Sequence, residues 1–372
     1  MIGSIDSFSI KGFKSIENIS EFKLNDLNVI VGANGVGKSN FIQVFDLLNA
    51  LAFGNLDRYV KQKGGADNFL YNGPKVTDKI DIKLNFELNH ECVNSYHLQL
   101  IPTVDDSFIF SDQRVYGTLK YEIRNVKEIN TSEEQDKEVF VGEKEPLYNR
   151  KAGIYGLISQ WIVYHFHDTS ETASMRRAVL VDDNMRLRSD GSNIAPFLLK
   201  LRREYPECYK LIVESIRLVM PYFDDFILTV LEMGPMQKVK LDWRQKGSDF
   251  PMQPYHLSDG SIRFICLATA LLQPELPPTL IIDEPELGLY PRAISILAEL
   301  IENASKRTQV IVSTQSPLLV DNFSVEDIIV MNRKDGSSTM ERLSSKELSV
   351  WLEQYSLGEL FTKNLLQGYH NE

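Results

Sequence analysis

Cysteine is scarce. Cys92, Cys208 and Cys266 are the three thiols of a 372-residue chain. They lie far apart, have no metal-ligand spacing and cannot all pair. That excludes a disulfide scaffold or a cysteine-built zinc site and fits a reducing compartment, with each thiol a small buried apolar residue. Long apolar runs are also lacking, and none approaches the roughly 20 residues of a membrane span. The start, Met1-Ile2-Gly3-Ser4-Ile5-Asp6, has no basic segment followed by a hydrophobic one. A secretory signal is therefore not expected, and the expected location is the cytoplasm, with no membrane partner. Positive charge is in deficit: 40 Lys and Arg against 51 Asp and Glu give a net charge of −11. So acidic a chain is not a general nucleic-acid coat, although a local basic surface could still meet DNA. Internal repeats and low-complexity tracts are missing as well. What remains is a chain with 43% hydrophobic residues, ample for a large core and long enough for about two domains.

The most informative segment is Gly32-Ala33-Asn34-Gly35-Val36-Gly37-Lys38-Ser39-Asn40. The apolar run Leu27-Asn28-Val29-Ile30-Val31 precedes it and reads as a buried strand. A run from Asn40 to Leu48 follows and reads as a helix with one apolar face. Strand, glycine loop and helix together suit a nucleoside triphosphate. The glycines let backbone N–H groups approach the phosphates, and the helix start adds partial positive charge. Lys38 is expected to reach the β- and γ-phosphates, and the Ser39 hydroxyl to ligate Mg²⁺.

A second piece of chemistry lies far along the chain. Leu280-Ile281-Ile282-Asp283-Glu284-Pro285 is an apolar strand ending in two carboxylates. The C-terminal edge of a parallel sheet is where α/β proteins bind ligands. Asp283 is expected to hold Mg²⁺ opposite Ser39, and Glu284 to orient or deprotonate the attacking water. Ahead of it, Leu257-Ser258-Asp259-Gly260-Ser261 opens a helix. Such a turn can bind phosphate oxygens, or it can be a plain helix cap made by Ser258 or Asp259.

The order of the remaining segments is coarse but readable. The first 31 residues alternate like a hairpin, and residues 80–88 alternate strictly, as a half-exposed strand does. Residues 97–101 and 116–123 look like antiparallel strands, and 126–145 is a polar loop or hairpin tip. Residues 193–222 hold two helical patterns, and 226–231 with 239–243 read as a strand pair. A strand over 279–282, a helix over 292–305 and a strand over 309–313 imply a parallel sheet with right-handed crossovers. The expected fold is α/β: a mixed sheet flanked by helices, split in sequence. Its halves span 1–88 and 251–343, with an inserted α+β lid over 89–250 and a tail over 344–372 that caps the domain or holds a partner.

These motifs together resemble the ABC-type ATPases of the SMC/RecF branch, and more closely the compact bacterial ATPases found with anti-phage defence genes. The resemblance rests on Phe13-Lys14-Ser15-Ile16, on residues 32–40, 257–261 and 282–291, on Thr314-Gln315-Ser316-Pro317, and on the tail around Trp351. It covers nearly the whole chain and implies an ATP- and Mg²⁺-dependent hydrolase. It further implies a homodimer in which Ser258, Asp259, Gly260 and Ser261 of one copy close over ATP held by the other. Glu286-Leu287-Gly288-Leu289-Tyr290-Pro291 corresponds to a dimer-crossing loop, with Tyr290 where histidine is frequent. The family usually carries Thr-His-Ser-Pro where this chain has Gln315, and a glutamine amide cannot become cationic, so turnover is expected to be slow. The family's metal-sensing glutamine has Gln62 as its nearest candidate, and Lys14 is a candidate nucleotide contact.

Two further clusters are weighed and set aside. His165 and His167 flank Phe166 and would share one face of a strand, but no nearby carboxylate or cysteine completes a metal site, which favours structural histidines. Asp182, Asp183 and Asp190 with Arg176, Arg177, Arg186 and Arg188 read as a charged, solvated loop. No nuclease-like acidic constellation is found, so any effector, such as a nuclease, is expected in a separate protein. The favoured function is a sensor or regulatory ATPase of a defence complex. The alternatives are a RecF-like DNA-repair ATPase and a nearly inactive ATP-dependent scaffold.

Overall fold

A computed structural model describes residues 3–88, 92–119 and 147–367. The first part of the chain gives β1 (Ser4–Phe13), β2 (Ile16–Lys23), β3 (Leu27–Val31), α1 (Lys38–Ala52) and α2 (Leu56–Gln62). There follow β4 (Ile80–Leu88), β5 (Cys92–Pro102), β6 (Phe108–Leu119), α3 (Leu147–Ile158), β7 (Ile162–Tyr164) and β8 (Val179–Leu180). The middle holds α4 (Ile194–Glu204), α5 (Pro206–Val219), β9 (Phe223–Ile227), β10 (Val230–Met233), β11 (Met236–Val239), β12 (Asp242–Gln245) and β13 (Pro251–Met252). The last part comprises α6 (Asp259–Leu272), β14 (Thr279–Asp283), α7 (Pro291–Ser305), β15 (Gln309–Thr314) and α8 (Pro317–Val320). It closes with β16 (Ile328–Lys334), β17 (Ser337–Arg342), α9 (Ser345–Leu352) and α10 (Leu357–Thr362).

Alternation along short apolar strands decides the architecture. Six strands form one sheet in the order β17-β16-β3-β15-β14-β7. All neighbours are parallel except the β16–β17 hairpin. Val29, Val31, Leu280, Ile282, Val310, Val312, Ile328 and Val330 point into one core. Ile30, Ile281, Ile311, Ile329 and Met331 point into another. A strand buried on both faces must be apolar at successive positions, which is why these segments read as unbroken hydrophobic runs. The first face is covered by α6 and α7 through residues such as Phe264, Leu297 and Ile301. The second is covered by Phe41, Phe45 and Leu48 of α1 and by Phe8, Ile10, Ile82 and Leu84 of a second sheet. That second sheet is antiparallel, in the order β2-β1-β4-β5-β6. Each large side chain so buried contributes roughly 1.5–3 kcal/mol relative to exposure.

The pairing corrects the expected division of the chain. β4 and β5 pair from Ile80↔Leu100 to Leu88↔Cys92, so a boundary at 88–89 would cut a sheet. β7, inside the span read as a lid, is a strand of the main sheet beside β14. The segment read as mixed, 154–166, is thus the end of α3 followed by a core strand. The expected strand pair around residues 226–243 is β9 with β12, and the hairpin β10–β11 lies between them in sequence. The strand expected over 116–123 is described through Leu119 as the end of β6, and the polar stretch 126–145 lies outside the described residues. The tail folds back, with the Gly358 amide donating to Asp321 Oδ1 at 2.6 Å, just past α8. Cys266 is buried and Cys208 is half-buried, both as free thiols. Among the described residues, no helix is long and apolar enough to cross a membrane.

Candidate nucleotide site

Four parallel strands end level with one another. Val31 of β3 lies opposite Thr314 of β15, Ser313 opposite Asp283 of β14, and Ile282 opposite Tyr164 of β7. The loops that leave these ends therefore meet along one edge, and they carry most of the residues singled out from sequence.

Residues 32–37 follow β3 directly. Ala33, Asn34 and Gly35 are exposed at the loop tip, whereas Gly32, Val36 and Gly37 are buried. Gly37 has φ 112°, a backbone region that side chains disfavour. A Cβ there would also collide with the hydroxyls of Ser338 and Ser15. Ser338, at the start of β17, donates to Val36 O at 2.6 Å and pairs with the Ser15 hydroxyl at 2.7 Å. Asn40 donates from Nδ2 to the same Ser15 hydroxyl at 2.8 Å. The loop is thus clasped between two hairpins, β1–β2 and β16–β17. Sequence reading had no signal for Ser338, some 300 residues away on the chain.

Lys38 is 5% exposed and folds back on the loop, donating from Nζ to Gly32 O at 2.6 Å and to Ala33 O at 3.2 Å. Burial lowers its pKa, while the carboxylates of Glu284, Asp283 and Glu286 act to raise it. One cation therefore faces three carboxylates. Ser39 is exposed at the first turn of α1. Lys14 sits beside Ser15 with φ 50°, but its ammonium lies 4.7 Å over the Phe69 ring. Burial lowers its pKa, and Lys63 adds to that. Gln62 is exposed at the C-terminal end of α2 and makes no side-chain hydrogen bond among the described residues.

Asp283 is 8% exposed. Its Oδ1 accepts from the Ser313 hydroxyl, and its Oδ2 faces His165 Nδ1 at 3.9 Å. Glu284 follows with φ 45°, a strained turn for a non-glycine residue. Its amide is held by Ser313 O at 3.0 Å. That turn directs its carboxylate to Gln315, whose Nε2 donates to Glu284 Oε1. Glu286, buried behind them, accepts from Thr314 Oγ1 at 2.6 Å and from the Gln315 amide at 2.9 Å on one oxygen. Its other oxygen has no hydrogen-bond partner among the described residues. Burial raises its pKa and Glu284 adds to that, against hydrogen bonds from Thr314, the Gln315 amide and its own amide. The oxygen donors Ser39 and Asp283 are the hard ligands that Mg²⁺ prefers, and Asp283 is already oriented by Ser313, so the residues present fit that ion.

Ser258 caps α6 and accepts from the Ser261 amide at 3.2 Å. The plain cap is thus present, yet Ser258 and Asp259 remain exposed. Gly260 has no room for a Cβ because the Gly288 carbonyl lies against it. The turn is braced by two arginines. Arg176 is buried, and it donates to Thr169 O at 3.0 Å, Pro254 O at 2.5 Å, Leu257 O at 3.0 Å and Asp259 Oδ1 at 3.1 Å. Reading it as part of a solvated charged loop was wrong, because its guanidinium is buried against backbone carbonyls and Asp259. Arg263 bonds Phe166 O at 2.8 Å, His167 O at 3.2 Å and Leu287 O, and burial lowers its pKa. Tyr290 donates to Val219 O at 2.5 Å and anchors the far end of the loop that contains Gly288. Among the described residues, no hydrogen bond joins 258–261 to 32–40.

A carboxylate does complete the histidine pair, contrary to the sequence reading. His165, His167 and Asp283 offer ligand atoms within 4.8 Å of one another. The partner was hidden because it lies on another strand, more than 110 residues later.

Comparison with known proteins agrees with this geometry. The family model described as "AAA domain, putative AbiEii toxin, Type IV TA system" matches residues 27–321. A "Putative ABC transporter ATP-binding protein" of Methanosarcina acetivorans is 32% identical over 105 residues, covering 28% of this chain and 34% of that protein. The match therefore spans about a third of that relative's length. Among solved structures, an Smc head bound to the C-winged helix domain of ScpA has a TM-score of 0.59 at 17% identity, covering 93% of this chain and 99% of that one. An Smc head with an extended coiled coil, bound to the C-terminal domain of ScpA from Pyrococcus furiosus, has a TM-score of 0.57 at 16% identity, covering 95% and 99%. The latter two likenesses show the fold. The chain belongs to the family of AAA domains described with the AbiEii toxin and is an ATPase, built on a fold like that of SMC heads.

Proposed function

We propose that the chain binds ATP with Mg²⁺ at residues 32–40 and that two copies sandwich two nucleotides, each closed by Ser258, Asp259, Gly260 and Ser261 of the other copy. Lys38 and the loop amides hold the phosphates, with Asn34, Gly35, Val36 and Gly37 supplying backbone contacts. Ser39 and Asp283 hold the metal, which supplies charge neutralisation at the β- and γ-phosphates. Glu284 orients and deprotonates the attacking water. Gln315 donates a neutral hydrogen bond where the wider family has a histidine, so hydrolysis is slow and the bound nucleotide acts as a timer.

The observation that carries this reading is the exposure of Ser258 and Asp259 on a rigid, doubly braced helix start with no bond to the phosphate loop of its own chain. A turn so firmly built, held in cis by its cap and by Arg176 while Ser258 stays open to solvent, suits a ligand brought by a second copy. In the cell the dimer serves as the sensor or regulatory subunit of a bacterial anti-phage defence complex, with the effector on a separate protein. The family's description, which names a toxin of a toxin–antitoxin system, supports that setting.

Sedimentation of Glu284→Gln with ATP and Mg²⁺ tests the dimer. The trapped species is expected at about twice the 42.5 kDa of one chain, and a monomer at saturating ATP refutes it. Turnover and sedimentation unchanged by duplex or gapped DNA set this reading apart from a DNA-repair ATPase.

A further inference from the structure

We propose that His165 is a ligand of the divalent cation held by Asp283, braced from behind by Asp46, and that this imidazole shifts the site's preference from Mg²⁺ toward first-row transition ions such as Mn²⁺. The proposal rests on the reading of Asp283 as the metal carboxylate.

Sheet register places the residue. β7 runs parallel to β14 with Tyr164 opposite Ile282, so the next residue, His165, comes level with Asp283. Tyr164 and Phe166 are buried and stack at 5.1 Å, which leaves His165 to the other side of the chain. Its backbone amide is fixed by Ser189 O at 2.9 Å. The half-buried ring then lies between two carboxylates. Nδ1 is 3.9 Å from Asp283 Oδ2, and Nε2 is 3.7 Å from Asp46 Oδ2. Two atoms each about 2.1 Å from one ion are at most about 4.2 Å apart, so Nδ1 and Oδ2 can share a cation.

The arrangement behind the ring matches what metal-bound histidines need. A carboxylate on the distal nitrogen fixes the tautomer and raises the basicity of the ligating one. Asp46 Oδ2 stands on that side of the ring at 3.7 Å, within ion-pair range and a small side-chain shift from a hydrogen bond. It lies on α1 two turns after Ser39, on the same helix face, so one helix offers both a metal oxygen and the histidine's support. Asp283 Oδ1 is already taken by Ser313, which leaves Oδ2 for the cation. His167 plays a different part: its Nε2 pairs with the Asp283 carbonyl at 3.1 Å and fixes the strand end. Mg²⁺ strongly prefers oxygen donors, whereas the first-row series accepts imidazole readily. One nitrogen in an oxygen site therefore changes which ion is held best.

The test uses the full chain with Mn²⁺ and a non-hydrolysable ATP analogue. Pulsed EPR of the wild type is expected to show nitrogen hyperfine coupling to Mn²⁺. Labelling the protein with ¹⁵N-histidine should change the coupling pattern, which distinguishes imidazole from backbone or adenine nitrogen without any substitution. His165→Gln should abolish that coupling and lower the ratio of Mn²⁺ to Mg²⁺ affinity at least about tenfold, and Asp46→Asn should lower it by a smaller factor. Bound nucleotide and Mn²⁺ with no histidine-derived coupling would overturn the proposal, as would coupling that survives His165→Gln. Failure of the analogue itself to bind would instead overturn the nucleotide reading, and the cation site with it.

Discussion

Gln315 donates its side-chain amide to Glu284, and the two stand at the ends of neighbouring strands β15 and β14. The contact joins the residue assigned to the water with the residue that departs from the family's histidine. An amide orients a carboxylate but cannot carry a proton or a positive charge. Gln315→His is therefore expected to raise ATP turnover about tenfold or more, and Glu284→Gln to lower it by about 10²–10³. Steady-state phosphate release checks both. A Gln315→His rate equal to wild type would mean that the position is neutral.

Lys38 feels the carboxylates of Glu284, Asp283 and Glu286, and it is folded onto the loop carbonyls. Lys38→Ala removes charge-assisted hydrogen bonds worth about 1.5–3 kcal/mol, so a fluorescent ATP analogue should bind about 10- to 150-fold more weakly. Retained affinity would refute the phosphate-loop assignment.

The loop and the carboxylate pair were legible because their chemistry is local: glycines beside a lysine, and two carboxylates ending an apolar run. The core strands were legible for the same reason, since burial on both faces forces unbroken apolar runs such as Leu280-Ile281-Ile282. What sequence hid was pairing at long range. Nothing near Tyr164 announces that it will lie beside Ile282, so β7 was read as part of a lid and His165 as structural. Ser338 and Arg176 were missed similarly. A serine in a hairpin and an arginine among charges look solvated until the carbonyls they satisfy are known.

Arg176 supplies a stability test. Its guanidinium satisfies Thr169 O, Pro254 O and Leu257 O just before the exposed turn. Arg176→Ala leaves these carbonyls without it and should cost about 2–4 kcal/mol, read as a lower urea midpoint with unchanged slope. Arg177→Ala, at the neighbouring position, serves as the comparison and should shift the midpoint much less.

Glu286 should make stability depend on pH. Its folded pKa is raised above the ordinary value of 4.5, chiefly by burial. A raised carboxyl contributes most when protonated, below 4.5, and loses that contribution as pH rises through its folded value. Glu286→Gln cannot lose a proton. The stability of wild type relative to the variant should therefore fall as pH climbs above 4.5, and a flat difference across that range would contradict the burial argument.

The central claim is that one copy's exposed serine-glycine turn completes the nucleotide site of another. The most direct measurement is a cryo-EM or crystal structure of Glu284→Gln with ATP and Mg²⁺. The account predicts two nucleotides per dimer, each with its γ-phosphate within hydrogen-bond reach of Ser258 and the Gly260 amide from the opposite copy. Nucleotide bound at residues 32–40 with Ser258 open to solvent in every assembly would contradict it.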